Sequence, residues 1–505
     1  MPRYIPSSCE LSIKSFCGSA GELKAALAEK RMMDNPLLAS CNQCKFHAAA
    51  HVFQFMKDAI PLVHGPVGCA HNKLYCPRAG VRFLAPYVAT TALNEQDVVF
   101  GGEQKLEEAI RWVDTTFRPN LIGVLATCVV GLIGDDIDRV VKKVQPQVKA
   151  KVVAVHSEGL AGRGQGYGYD ETFSVLVHEV MKEQKEKIPN SVNIWGVWRP
   201  SSIDLDIIEL RRLLNECGIH VHAVVTGGST LEDIETAPKA MLNLLRCEAM
   251  CIDSAAEMEK VFGTPYALKE IPIGIESTKV WVMSAAEVLG LEGKAGPIMD
   301  KEADVAYKEI ADVLPELKGK RVAVNLAQSR ALFFSKFCRE LGMDLVFLGS
   351  SWTRRNFSEF LDLCHPDLKS DVRMAISPSR YEIEYWMKEL KPDIYLGGDA
   401  EAHWIRRYGI AFVQLHTERW YGIQGAVRLA KAMAKSLHSP LRDRLARIWE
   451  EQAYVSPPSD LPGLKNVLDA DQSGQGAPTG EFDGGNHESD GCSLGQGREG
   501  KGGRG

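Results

Sequence analysis

A chain of 505 residues exceeds what one hydrophobic core can organise, so several domains are expected. With 45% hydrophobic and 25% charged residues the composition is that of a globular protein, and a net charge of −6 offers no basic surplus for nucleic acid or an anionic membrane as main partner. The first residues carry no signal-peptide run and no apolar stretch reaches the roughly 18 residues of a membrane span, so a cytoplasmic protein is expected.

Thirteen cysteines, an odd number, point to metal ligands, redox thiols or buried packing rather than to disulfides. In chain order, the first chemical signal is Cys41-x-x-Cys44 in SCNQCKF, a spacing compatible with zinc or iron–sulfur ligation. The apolar run AIPLV then ends in His64-Gly65-Pro66-Val67-Gly68-Cys69, where Gly65 and Gly68 permit a tight turn and close backbone approach to a bulky ligand. A strand predicted at 121–126 leads to Cys128, which opens a helix whose backbone N–H groups offset thiolate or sulfide charge. Thiolates at the ends of parallel strands converge on one crevice, and such a crevice binds soft metal.

Further strands are predicted at 151–155, 192–196, 221–225, 321–326, 344–348, 371–375, 393–396 and 411–415, most of them followed by Gly, Ser, Thr or Asn. The alternation with helical segments predicts an α/β chain of three Rossmann-like, doubly wound parallel-sheet domains at 20–188, 189–315 and 316–455. Linkers are read at 187–192 and in a charged helix at 300–314. MLNLLRC, ending in Cys247, reads as an amphipathic helix, with core packing as the alternative to ligation, and Cys217, Cys338 and Cys364 read as core residues. His416 stands at the C-terminal end of the strand AFVQL, a place where open α/β sheets build ligand sites. Residues 456–505 form a Gly-rich tail that is expected to be disordered over 469–505. With neither a GxxxxGK(S/T) phosphate loop nor a GxGxxG turn after a strand, neither ATP hydrolysis nor a dinucleotide site is expected of this chain.

The run CKFHAAAHVFQFMKDAIPLVHGPVGC resembles the first cluster-binding segment of component 1 proteins of the nitrogenase superfamily, and NEQDVVFGGEQKLEEAIRW, ATCVVGLIGDDID and HSEGLAG continue the resemblance in order. MLNLLRCEAM with the following VFGTPY resembles the family's cofactor-cysteine segment, and YGIAFVQLHTERWYGIQGAVRLAKAM its C-terminal cofactor segment. The resemblance implies an α-type subunit with a homologous β-type partner in an α2β2 assembly, and a separate ATP-dependent iron–sulfur reductase protein as electron donor. It implies Cys44, Cys69 and Cys128 as α-side ligands of a P-cluster-type or 4Fe–4S cluster at the αβ interface, with Cys41 as an alternative to Cys44. It further implies Cys247 and His416 as the two anchors of a larger nitrogenase-cofactor-like iron–sulfur cluster. Catalytic α subunits carry a histidine at the place of His416, whereas cofactor-assembly scaffold subunits usually carry asparagine.

Gln165, in GRGQGYGYD, matches a cofactor-pocket glutamine, while Tyr169 takes the place of a histidine used in dinitrogen reduction; a tyrosine is a much weaker acid near neutral pH. Arg330, in NLAQSRALF, falls where the family places an arginine facing the cofactor, an exposed surface arginine being the alternative. The spacing from Cys44 to Cys69 and the strings DVVFGGE and HSEG resemble the scaffold type. The function implied is a nitrogenase-like reductase using Gln165, Arg330 and His416, of the methylthio-alkane reductase group, which cleaves C–S bonds and releases methanethiol for sulfur salvage. A cofactor-assembly scaffold, an authentic nitrogenase α subunit and, more distantly, a dark-operative protochlorophyllide reductase are the alternatives.

Overall fold

A computed structural model describes residues 14–28, 33–34, 44–75, 88–161, 164–197, 205–351, 357–415, 420–440 and 444. Cys41, His416 and the 456–505 tail lie outside the described residues. The apolar runs of the sequence form three sheets, and the expected α/β class with parallel strands is the one adopted. In the first sheet Ala59–His64 lies between Ala89–Thr90 and Leu121–Ala126, with Lys151–Val155 beyond. In the second, Ser191–Val197 lies between His220–Thr226 and Leu242–Leu245, with Tyr266–Ala267 at the edge. The third places Ala411–Gln414, Ile394–Gly397, Arg321–Leu326, Asp344–Ser350 and Arg373–Ile376 side by side.

Burial on both faces is why these strands read as continuous apolar runs rather than as alternating ones. Along Leu121–Ala126, Leu121 and Leu125 enter one core while Ile122, Val124 and Ala126 enter another, the period-two split of a strand covered on both sides. Asn94, Thr230 and Ser379 close capping boxes at the starts of their helices, so local sequence also sets where the chain turns.

Three segments differ from expectation. MLNLLRC is not an amphipathic helix: Leu242–Leu245 is a parallel strand, paired on both sides and buried along its length. Pairing every backbone group in a buried sheet outweighs the helix propensity of a few leucines. Lys14–Ser19, ahead of the first expected domain, pairs antiparallel with Arg373–Ile376 and extends the third sheet. The charged 300–314 segment belongs largely to helix Glu292–Glu309, whose Ala295, Met299, Ala303 and Ala306 are buried in the largest core, so it is packed as well as connecting.

Helices Lys45–Gln54 and Gln165–Glu179 touch at Gly168, where an added Cβ would fall 2.2 Å from the backbone oxygen of Lys45 and 2.9 Å from the Cβ of Ala48. A backbone oxygen cannot swing aside as a side chain can. Gly168→Ala is therefore expected to lower the unfolding free energy by about 1–3 kcal/mol, read as a lower denaturant midpoint; an unchanged midpoint would show that the two helices separate freely.

Candidate cluster sites

Cys69 and Cys128 leave neighbouring strands of the first sheet at the same end. His64 pairs opposite Ala126, and each strand turns into the helix that carries its cysteine, Val67–Tyr75 and Cys128–Ile133. Cys44 caps helix Lys45–Gln54 and bridges to Gly164, immediately before helix Gln165–Glu179. The three expected interface cysteines thus meet at the carboxyl edge of one sheet. Desolvation raises the Cys69 thiol pKa, and the Cys44 and Cys128 thiols raise it further. Desolvation likewise raises that of Cys44, the backbone N–H groups of His47 and Phe46 opposing it and Cys128 adding to it. The N–H of Gly159 donates to Cys128 Sγ at 3.2 Å, and a Cβ on Gly159 would fall 3.0 Å from the Cys44 Cβ and 3.6 Å from Cys128 Sγ. Glycine therefore leaves this wall of the crevice open.

Of the two turn glycines, Gly65 lies against Thr127, whose Oγ1 would be 2.1 Å from an added Cβ, whereas Gly68 sits in the first helical turn with open space around it. Both ring nitrogens of His64, beneath this turn, are engaged, by Thr91 Oγ1 at 3.1 Å and by Asp135 at 3.0 Å. Cys44 is exposed and Cys69 and Cys128 are half-buried, so the crevice opens to the surface. Apolar side chains stand exposed on the elements that form it: Val67, Leu132 and Leu160, with Val99 and Phe100, at 73% and 86%, on a helix packed against Cys128–Ile133. Among the described residues no three His, Cys, Asp or Glu side chains close on a single metal-ion position.

Cys247 is buried at the carboxyl end of Leu242–Leu245 and caps helix Glu248–Phe262, so it leaves its strand for a helix much as Cys128 does. Burial pushes its thiol up to about 11, Glu248 adds to this, and Ser329, Arg246 and Arg330 oppose it. Its Sγ lies 3.7 Å from Ser329 Oγ, in the first turn of helix Gln328–Glu340. Arg330 follows, half-buried rather than on the open surface, and its guanidinium donates to the carbonyl of Leu415, the residue that precedes His416. Arg330 Nε and Glu248 Oε2 are buried without a hydrogen-bond partner among the described residues. Cys247, Arg330 and the strand end leading to His416 are therefore brought together, although His416 itself lies outside the described residues.

Gln165 opens its helix, and its amide reaches the Tyr169 hydroxyl at 3.5 Å. Tyr169 is 3% exposed, and its hydroxyl is shared with His51 Nδ1 at 2.7 Å, the two rings lying 6° from parallel. Sequence reading passes over His51 and its neighbour His47. Their signal was two histidines four residues apart in a helix that is otherwise largely apolar and buried throughout. Phe46, Val52, Tyr169, Cys247 and Met250 belong to one continuous apolar core, and Cys69 packs against it, so the same core serves both thiol sites.

Fold and sites together define an α/β protein of largely parallel sheets with thiols gathered where strands end. The sequence profile of nitrogenase component 1 type oxidoreductases matches residues 44–438, and the chain belongs to that family. It is 30% identical over 411 residues to the nitrogenase iron-molybdenum cofactor biosynthesis protein NifE of Clostridium pasteurianum, spanning 79% of this chain and 88% of that protein. It is 27% identical over 464 residues to the nitrogenase molybdenum-iron protein alpha chain of Methanosarcina barkeri, spanning 79% of this chain and 86% of that one. Of solved structures, nitrogenase Cp1 at pH 5 superposes with a TM-score of 0.72 at 22% identity, over 90% of this chain and 98% of that one, which shows the shared fold. The chain is a nitrogenase-like α-type subunit. Among the described residues no helix is long and apolar enough to cross a membrane.

Proposed function

We propose that this chain is the catalytic α-type subunit of a nitrogenase-like reductase, paired with a homologous β-type subunit as α2β2 and supplied with electrons by an ATP-dependent iron–sulfur reductase protein. The observation that carries this reading is the presence of two thiol sites on one apolar core: Cys44, Cys69 and Cys128 at an open crevice, and Cys247 buried beside Ser329 and Arg330. Three thiols at one crevice, with Cys44 and Cys128 both raising the pKa of Cys69, suit a polynuclear group, P-cluster-type or 4Fe–4S. The open crevice leaves room for ligands from the β-type subunit, and the apolar rim of Val67, Val99, Phe100, Leu132 and Leu160 fits burial beneath protein partners.

At Cys247 the donor set fits a larger, anionic iron–sulfur cofactor. Arg246 and Arg330 bring positive charge to a buried thiol, and Arg330 Nε has hydrogen-bonding capacity to spare among the described residues. Cys247 and His416 would hold the cofactor at its two ends. When bound, it supplies low-potential electrons to a small substrate. The chain's own residues offset its charge through Arg330, exclude water with the surrounding core, and hold a proton near it through Gln165 and Tyr169.

The proposed substrates are methylthio-alkanes, cleaved reductively at the C–S bond; Tyr169 in place of a nitrogenase histidine supports a substrate other than dinitrogen. Anaerobic turnover of the αβ complex with its reductase, ATP and a strong reductant is expected to convert 2-(methylthio)ethanol to ethylene and methanethiol. Dinitrogen reduction in preference to this would make the chain an authentic nitrogenase subunit. The identity with the NifE protein favours a second reading, an assembly scaffold that passes its cluster on. In a reductase, His416→Asn should lower cofactor occupancy and activity together, by about tenfold or more, and leave the interface cluster intact. Full turnover in that variant would remove the two-anchor arrangement. No turnover of any substrate by the unaltered complex, with ready transfer of its cluster to an apo-nitrogenase, would establish the scaffold.

A further inference from the structure

We infer that His51 is a positioning residue that keeps the Tyr169 hydroxyl loaded with a proton for the substrate-reducing site; this rests on the reductase reading above. By the family resemblance Tyr169 stands where an imidazole would be, and a phenol is a poor acid near neutral pH. The structure brings an imidazole back from the facing helix. His51 Nδ1 is 2.7 Å from the Tyr169 oxygen, both residues are more than nine-tenths buried, and the rings stack with centroids 5.9 Å apart. The Gln165 amide donates to the same hydroxyl at 3.5 Å, and a histidine nitrogen can either donate to a phenol oxygen or accept its proton.

The placement is built in. Gly168 allows the two helices to touch, and the neighbouring Asp170 accepts from the backbone N–H groups of Asp253 and Ser254 at 3.1 and 2.7 Å. That carboxylate pins the Tyr169 helix to the helix that Cys247 caps. His47 stands edge-on to His51, with ring centroids 5.1 Å apart, on the same helix. An apolar core gains nothing in packing from two imidazoles, an amide and a phenol, since each costs desolvation that a leucine would not.

The step balances simply. A two-electron reduction, with electrons from the iron–sulfur reductase protein, takes up two protons. The Tyr169 O–H bond breaks as its proton passes to substrate, the tyrosinate takes a proton from the His51 imidazolium, and the neutral imidazole is recharged from water. The second proton follows the same route after recharging.

The test compares the intact αβ complex with His51→Gln, Tyr169→Phe and the double variant. Glutamine can still bond to the hydroxyl but cannot carry a proton. Each single change should lower kcat by about a hundredfold with KM unchanged, with iron content and cluster spectra as in the unaltered complex. The double variant should be no slower than Tyr169→Phe, because the two groups act in series. Tyr169→His should restore turnover even with His51→Gln. Independently of activity, a histidine Nδ1 resonance in the nitrogen-15 spectrum of the full-length chain, missing from His51→Gln, should shift in Tyr169→Phe. A normal rate in His51→Gln, effects that multiply in the double variant, or an unmoved resonance would each overturn the relay. If the unaltered complex reduces neither methylthio-alkanes, acetylene nor protons, the reductase reading fails and the relay falls with it, whatever the resonance does.

Discussion

Cys69→Ala is expected to abolish reductase-driven turnover, by more than about a hundredfold, and to remove the interface-cluster signal from the reduced αβ complex. Loss of an outer partner of a metal ligand already costs about 10–100-fold in affinity or activity, and loss of the ligand itself costs more. Cys69 lies at a crevice where both Cys44 and Cys128 raise its pKa, and each of those thiols leaves a different element, so neither can take its place without moving. The variant should also weaken pairing with the β-type subunit, since a cluster ligated from both sides is a covalent joint between them. Electron paramagnetic resonance and size-exclusion chromatography read the two effects separately. Cys338→Ala is the control: that thiol is fully buried, burial alone raises its pKa, and only packing stability should change. A cluster spectrum unaltered by Cys69→Ala would take Cys69 out of the ligand set.

Cys247→Ala should act at the other site. Iron content should fall to that of the interface clusters alone, and substrate turnover should fall by more than about a hundredfold, while the interface signal persists. Removing one buried sulfur costs on the order of 1 kcal/mol, too little to unfold a domain, so iron loss would not report misfolding. The prediction draws on the surroundings as well as the thiol. Arg330 and Arg246 oppose the burial that pushes Cys247 up to about 11, and Ser329 stands 3.7 Å from its sulfur. Full iron content and full turnover would leave Cys247 as a packing residue.

Much of this was legible before any tertiary structure. Strands expected at 121–126, 151–155 and 321–326 coincide with Leu121–Ala126, Lys151–Val155 and Arg321–Leu326, because strands buried on both faces leave unbroken apolar runs ended by turn residues. Leu242–Leu245 was not legible. Four residues of leucine and asparagine carry no periodicity that separates strand from helix, and only pairing with Ser191–Val197 and Tyr266–Ala267 decides the matter. Lys14–Ser19 was missed for a related reason, since its partner strand Arg373–Ile376 comes from the far end of the chain.

The sites divide along the same line. Each thiol's local position, at the end of a strand or the start of a helix, is set by near neighbours: the glycines and proline before Cys69, and the buried strand before Cys128. Those short-range preferences are properties of the sequence by itself, and so is the family to which its ordered motifs point. Which side chains face one another is a matter of sheet order and helix contact distance. Tertiary structure alone set Cys69 beside Cys128, through the parallel pairing of Ala59–His64 with Leu121–Ala126. It alone brought Arg330 across to the carbonyl before His416, and His51 to a hydroxyl 118 residues along the chain. No local pattern encodes such meetings, because each depends on burial and backbone pairing summed over whole sheets rather than on the residues that meet.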